Sequence, residues 1–180
     1  GNYAIGGSKR DSALVTKVDG LGNVIWSRSF RATAGYDHVV YQLASAPDGS
    51  LIGTGNAYDG NPYPEFSFLF KFDLNGNLIW HTRSDDSRPI WTNRILPTPG
   101  ASYMALPCIY DLSSTTLSDL YTASVDASTG LMLGNGSRTD FTPSNPGLDE
   151  HYSATIAPDG SVYACGRVFM YGDDPASMRP

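Results

Sequence analysis

With 180 residues and an apolar fraction of 41%, the chain is long enough and apolar enough for a sizeable core, which argues against disorder. Its net charge is −6, and its three Lys and nine Arg form no cluster, so nucleic acid and anionic membrane surfaces are poor partners. No apolar run approaches the roughly 18 residues of a membrane span. Sixteen of the 18 acidic residues are Asp, which favours turns over helices, so we expect an all-β chain.

One ten-residue sequence occurs twice: KVDGLGNVIW begins at Lys17 and KFDLNGNLIW at Lys71. In each copy an Asp side chain is expected to accept hydrogen bonds from turn amides, and a Gly with positive φ to close a hairpin. A fainter third copy, LYTASVDASTGLMLG, covers 120–134. The residues that this repeat predicts to be structural are Asp19, Gly22, Trp26, Asp73, Gly76, Trp80, Asp126 and Gly130.

The repeat divides the chain into units, of which the first covers residues 1–30. Its opening, GNYAIGG, matches GSLIGTG at 49–55, so this unit is expected to lack its first strand. The second unit, 38–84, contains the turn sequence APDG and the strand FSFLFKF, whose phenylalanines alternate as one face of a strand. They are Phe66, Phe68, Phe70 and Phe72.

The third unit, 90–139, has a degraded turn sequence, TPG, and carries Gly134 where a Trp is expected. The fourth, 150–168, is expected to be the start of a further blade and contains a second APDG turn, and 169–180 is expected to be a tail or linker. Asp-Gly between alternating apolar residues is a strong hairpin signal. The four units together predict thirteen strands, in groups of three, four, four and two.

Four short antiparallel strands in a unit of about 50 residues are typical of a β-propeller blade. We therefore expect an all-β propeller segment of roughly three to four four-stranded blades, with each Trp wedged between neighbouring blades. Propellers typically close with about four to eight blades, so the segment is expected to belong to a larger propeller in a longer polypeptide. The remaining blades or a partner chain would then cover its open edges.

The motifs DGLGNVIW, DLNGNLIW and ASVDASTG resemble the blades of quinoprotein-like propellers, in which a docking Trp locks adjacent blades. The stretch GYDHVVYQLASAPDGSLIGTG is also similar to bacterial repeat propellers of large secreted and cell-surface proteins. The resemblance covers most of the chain and implies that Trp26 and Trp80 are docking residues. It further implies an extracellular, cell-surface or periplasmic location.

Two sets of residues are candidates for ligand binding. The first set lies before or at the start of the first strand of a unit and is expected near one end of the blades. Its members are Asp37, His38, Asp149, Glu150 and His151. Imidazole and carboxylate suit zinc or manganese, although solvated loop residues are the commoner outcome.

The other candidates are Tyr58 and Tyr63, which flank or lie in an extended loop and suit stacking on a sugar or peptide. There are no adjacent cysteines and no carboxylate cluster of the quinoprotein kind, so we predict no catalytic residue, metal or cofactor. A shared fold does not transfer a function.

The sequence favours a non-catalytic binding or structural propeller module of a secreted or surface-associated protein, with protein or carbohydrate as the partner. One alternative is a fragment of a propeller enzyme, a quinoprotein dehydrogenase or a glycan-cleaving enzyme, whose active residues lie outside this segment. Another is a subunit of a larger assembly, held by partner chains along its open edges.

Overall fold

The computed structural model describes residues 1–60, 66–83, 90–98, 102–110, 118–139 and 147–170. Within these ranges the chain forms thirteen strands and no helix. The described residues accordingly contain no helix of the length and apolar character needed to cross a bilayer. The strands are β1 (Tyr3–Lys9), β2 (Ser12–Val18), β3 (Val24–Phe30), β4 (Asp37–Ser45), β5 (Leu51–Tyr58), β6 (Phe66–Phe72), β7 (Leu78–Arg83), β8 (Ile90–Pro97), β9 (Ser102–Tyr110), β10 (Ser118–Asp126), β11 (Met132–Thr139), β12 (Gly147–Ile156) and β13 (Val162–Met170). The all-β class and the strand number are confirmed.

The strands form sheets in which each strand pairs antiparallel with the next along the chain. Sheet 1 contains β1–β3, sheet 2 contains β4–β7, and sheet 3 has six strands, in which β8–β11 are joined by the hairpin β12–β13. The hairpin β12–β13 joins sheet 3 through a single parallel pair, Ser118 with Leu148, against nine antiparallel pairs within the hairpin. None of the described sheets closes on itself.

The turns of the duplicated sequence follow from their Asp and Gly residues. Asp19 Oδ1 accepts hydrogen bonds from the amides of Leu21 and Asn23, at 2.8 and 2.9 Å, and Asp73 does the same in its own turn. The Asp126 turn is one residue longer, because the amide of Gly130 bonds to the carbonyl four residues back instead of three. Each turn ends on a glycine with positive φ, as the sequence predicts.

Sheet 2 is covered on both faces. Phe68, Phe70 and Phe72 belong to one core cluster together with residues of sheet 1, including Trp26. Leu69, from the opposite face of β6, packs into a second cluster with residues of sheet 3. The whole of β6 is therefore buried, and its predicted alternation of faces is confirmed.

Candidate functional site

Sheets 1 and 2 meet where Trp26 of β3 lies on the Asp73 turn. The indole nitrogen Nε1 of Trp26 donates a hydrogen bond to the carbonyl oxygen of Leu74 at 3.2 Å. A β-carbon at Gly76 would lie 2.7 Å from Cδ2 of Trp26, closer than side chains approach one another. Two features therefore require glycine at position 76: its φ of 81°, and the indole ring that fills the space where a side chain would lie.

Sheets 2 and 3 meet in the same way. Trp80 Nε1 donates to the carbonyl oxygen of Ala127 at 3.1 Å, and a β-carbon at Gly130 would lie 2.4 Å from Cε3 of that indole. Gly22 is the equivalent turn glycine of sheet 1, and no atom of the described residues comes within 4 Å of the β-carbon position there. The described part of the chain thus contains two copies of one junction, and Gly22 offers the same turn without an indole from that part of the chain.

A lysine accompanies each docked tryptophan. Lys17 pairs across the strands with Trp26, and Lys71 pairs with Trp80. Each ammonium Nζ lies near the carbonyl oxygen that the neighbouring indole uses, at 3.4 Å for Lys17 and 3.5 Å for Lys71. Sequence reasoning gave these lysines no role, although each is the first residue of the duplicated sequence and the repetition was a usable signal.

The second junction also contains an ion pair. Lys71 Nζ lies 2.8 Å from Asp48 Oδ2, and the lysine side chain is only 9% exposed. Hydrogen bonds from Lys71 and then from Ser50 lower the pKa of Asp48 to about 2. Burial opposes the charge of Lys71, but hydrogen bonds with Asp48 and Tyr103 outweigh it and raise its pKa. The ammonium is therefore held charged between the two sheets.

Two tyrosine hydroxyls meet at the opposite end of sheet 2. Tyr41 and Tyr58 are joined by a hydrogen bond of 2.6 Å between their hydroxyl oxygens. Tyr41 stands at a bulge of β4 and is 49% exposed, whereas Tyr58 is half-buried. Burial, and then the hydrogen bond with Tyr41, raise the pKa of Tyr58 well above its ordinary value. Tyr41 was missed by sequence reasoning, because nothing in the sequence marks the bulge.

Asp37 lies beside this pair. It is exposed and is the register partner of Tyr58, so a carboxylate and two phenol groups share one end of the β4–β5 pair. We call Asp37, Tyr41 and Tyr58 the tyrosine edge. It presents hydrogen-bonding groups and aromatic surface together, which suits recognition of polar ligands.

His38 has a different role from Asp37, the residue before it. It is fully buried, its Nδ1 lies 3.0 Å from the carbonyl oxygen of Asp11, and its Nε2 accepts a hydrogen bond from the amide of Thr33 at 3.4 Å. Because Nε2 accepts, Nδ1 must carry the proton and donate. Both nitrogens are thus occupied in holding β4 to neighbouring backbone, and neither is available to a ligand.

The other candidates lie where less is described. Tyr63 falls outside the described residues. Three others lie in β12, where their backbones pair with β13, but the structure does not describe their side chains. They are Asp149, Glu150 and His151. Their convergence with Asp37 stays a prediction. Among the described residues, no group of three or more His, Cys, Asp or Glu side chains is placed to hold a metal ion.

A scan against protein-family models finds no match for this chain, and a search of curated proteins finds none either. The resemblance to quinoprotein-like propellers therefore stays a prediction from the sequence motifs.

Proposed function

We propose that the chain is a segment of a β-propeller and serves as a non-catalytic binding or structural module of a secreted or surface-associated protein. The observation that carries this proposal is the repeated junction, in which Trp26 meets Leu74 and Trp80 meets Ala127 with nearly equal geometry. Repeating one rigid contact between successive sheets turns each sheet by a similar amount. Such repetition generates a ring or a superhelix.

The order of strand contacts supports a ring. The first strand of sheet 2, β4, contacts the first strand of sheet 3, β8, and β8 in turn contacts β12. First strands that meet in succession are what blades around a common axis produce. The cover of both faces of sheet 2 agrees with a blade that lies between two others.

The tyrosine edge is the proposed contact surface, and carbohydrate is the partner that its chemistry favours. Tyr41 offers an exposed ring for stacking, while the hydroxyl of Tyr58 and the carboxylate of Asp37 can hydrogen-bond to sugar hydroxyls. Asp37 and Tyr58 stand at the ends of their strands and Tyr41 stands at the bulge within β4, so all three are carried by strands and little ordering is needed on binding.

The test is an NMR titration of the 180-residue chain with chitohexaose and laminarihexaose. We expect saturable shifts at Tyr41 and Tyr58, and binding about tenfold weaker in Tyr41→Ala, as fits the loss of roughly 1.4 kcal/mol of stacking. Tyr163→Ala is the matched control, since Tyr163 is 63% exposed on the distant strand β13, and it should bind within about twofold of wild type. If neither sugar produces saturable shifts, carbohydrate is the wrong partner class.

A further inference from the structure

A line of hydrogen bonds leads from the interior of the molecule to the tyrosine edge. At its inner end the backbone amide of Thr92, in β8, donates to Ser67 Oγ at 2.7 Å. Ser67 Oγ in turn donates to Asn56 Oδ1 at 2.7 Å, and both of these side chains are buried. Because a backbone amide can only donate, the serine hydroxyl accepts from it and gives its own proton to the asparagine.

The side-chain amide of Asn56 passes this direction on to Tyr58. Its oxygen is engaged by Ser67, so its nitrogen Nδ2 is the group that remains for the phenol. Burial and then Tyr41 raise the pKa of Tyr58, while a hydrogen bond with Asn56 opposes them. A hydrogen bond that lowers the pKa of a phenol is donated to its oxygen, because such a bond stabilises the phenolate. Asn56 therefore donates to Tyr58.

The proton of Tyr58 is then directed towards Tyr41, whose hydroxyl oxygen lies 2.6 Å from its own. In this arrangement each hydroxyl of the line accepts one hydrogen bond and donates one, and bonds in such a chain strengthen one another. The opposite direction would leave the proton of the half-buried Tyr58 without Tyr41 or Asn56 as a partner, which costs free energy.

Tyr41 is the outer end of this line. It is 49% exposed and accepts from Tyr58, so its own proton is available to a ligand. Asp37 is exposed and is the cross-strand partner of Tyr58, and such partners carry their side chains on the same face, with Cβ atoms about 5 Å apart. The tyrosine edge thus presents one hydroxyl donor and one carboxylate acceptor.

We propose that the tyrosine edge selects sugars that carry an acetamido group, with Tyr41 donating to the acetamide carbonyl and Asp37 accepting from the acetamide N–H. An acetamide has one acceptor and one donor at opposite edges of a planar group, which complements a fixed donor and a fixed acceptor. A sugar hydroxyl can fill either role, so a plain glucan gains nothing from the fixed direction. The inference rests on the proposed carbohydrate-binding function and names the class of sugar.

The first arm of the test compares two sugars by NMR titration of the 180-residue chain. Chitohexaose and cellohexaose share one backbone of β-linked units and differ in the acetamido group, which cellohexaose replaces by a hydroxyl. We expect chitohexaose to bind at least about tenfold more tightly, the effect of roughly one hydrogen bond.

Three variants test which groups carry this preference. Tyr41→Phe keeps the ring for stacking but removes the donor, and it should reduce the preference to within about threefold. Asp37→Ala removes the acceptor and should reduce the preference similarly. Tyr163→Phe removes a hydroxyl from a tyrosine that is 63% exposed on β13, and as the control it should keep the full preference.

The second arm tests the direction of the hydrogen bonds without a ligand. If Tyr58 donates to Tyr41, that bond favours the neutral phenol, so the pKa of Tyr58 should fall in Tyr41→Phe. If Tyr41 donated to Tyr58, the bond would favour the phenolate, and the pKa of Tyr58 would rise in the same variant. The Cζ chemical shifts of ¹³C-labelled tyrosine distinguish the two directions.

Three results would overturn the inference: equal binding of the two sugars, a preference that survives in Tyr41→Phe or Asp37→Ala, and a rise in the pKa of Tyr58 in Tyr41→Phe. Equal binding leaves carbohydrate as the partner class, because a sugar still binds. If chitohexaose, cellohexaose and laminarihexaose all fail to give saturable shifts, the proposed partner class is wrong as well. Unchanged NMR signals from sheet 3 show that each variant is folded.

Discussion

The indole nitrogen of Trp26 lies 3.2 Å from the carbonyl oxygen of Leu74 and joins the last strand of sheet 1 to a turn of sheet 2. Trp80 and Ala127 repeat this contact at 3.1 Å between sheets 2 and 3. A single kind of junction, used twice, therefore fixes how three successive sheets lie against one another.

Replacement of the docking indoles should separate hydrogen bonding from packing. Trp80→Phe keeps most of the ring but loses the donor, and we expect it to lower the free energy of unfolding by about 1–2 kcal/mol. Trp80→Ala also empties the space over Gly130 and should cost about 3–5 kcal/mol. Urea unfolding measures both, and Trp26→Phe should match Trp80→Phe. Equal losses for Trp80→Phe and Trp80→Ala would contradict the packing role.

The turn glycines allow a matched comparison. Gly22 and Gly76 share a positive φ, 89° and 81°, but only Gly76 lies beneath an indole. Gly22→Ala should cost only backbone strain, about 1 kcal/mol, whereas Gly76→Ala should cost about 2–4 kcal/mol because the methyl group also meets Trp26. Thermal unfolding of the two variants side by side tests this difference. If the two variants lost the same stability, the packing of Trp26 would not require a glycine at position 76.

The ion pair of Lys71 with Asp48 predicts a dependence of stability on pH. The folded pKa of Asp48 is about 2, below an unfolded value of about 3.9, so the pair stabilises the fold above about pH 4 and this is lost as the pH falls towards 2. Because the Asp48 side chain is 56% exposed, screening limits the contribution to about 1 kcal/mol.

Asp48→Asn should therefore lower stability near pH 6 and approach the wild type as the pH falls through about 2, as measured by urea unfolding across that range. Asp159→Asn is the control, since Asp159 occupies the same turn position in the β12–β13 hairpin and belongs to neither of the ion pairs found among the described residues. A stability difference between Asp48→Asn and wild type that is independent of pH would contradict the ion-pair account.

The tyrosine edge predicts an unusual titration. Burial and the hydrogen bond with Tyr41 raise the pKa of Tyr58, so Tyr58 should ionise at a higher pH than an ordinary tyrosine, whose pKa is about 10. Tyr41→Phe removes the hydrogen bond and should lower the pKa of Tyr58. The Cζ chemical shifts of ¹³C-labelled tyrosine report both, with Tyr58→Phe to assign the signal. Ionisation of Tyr58 together with exposed tyrosines would contradict its burial.

The turns and strands could be predicted because their signals are local. An Asp followed by a Gly three or four residues later contains both the acceptor and the positive φ that such a turn needs, and the phenylalanines of β6 mark their own face. The all-β class and the number of strands are accordingly confirmed.

The contacts across the sheets could not be predicted in this way. Lys71 meets Asp48 from another strand, and Tyr41 reaches Tyr58 only because a bulge displaces it from the strand alternation. His38 was grouped with Asp37 as a ligand candidate, but neighbouring residues of a strand point to opposite faces, so Asp37 is exposed while His38 is buried.

The central claim is that successive sheets fan about one common axis, and a crystal structure of the chain tests it most directly. The rotation that superposes sheet 1 on sheet 2 should share its axis and its angle with the rotation that superposes sheet 2 on sheet 3. Sheets related instead by a translation, as in a stacked sandwich, or by rotations about unrelated axes would contradict a propeller.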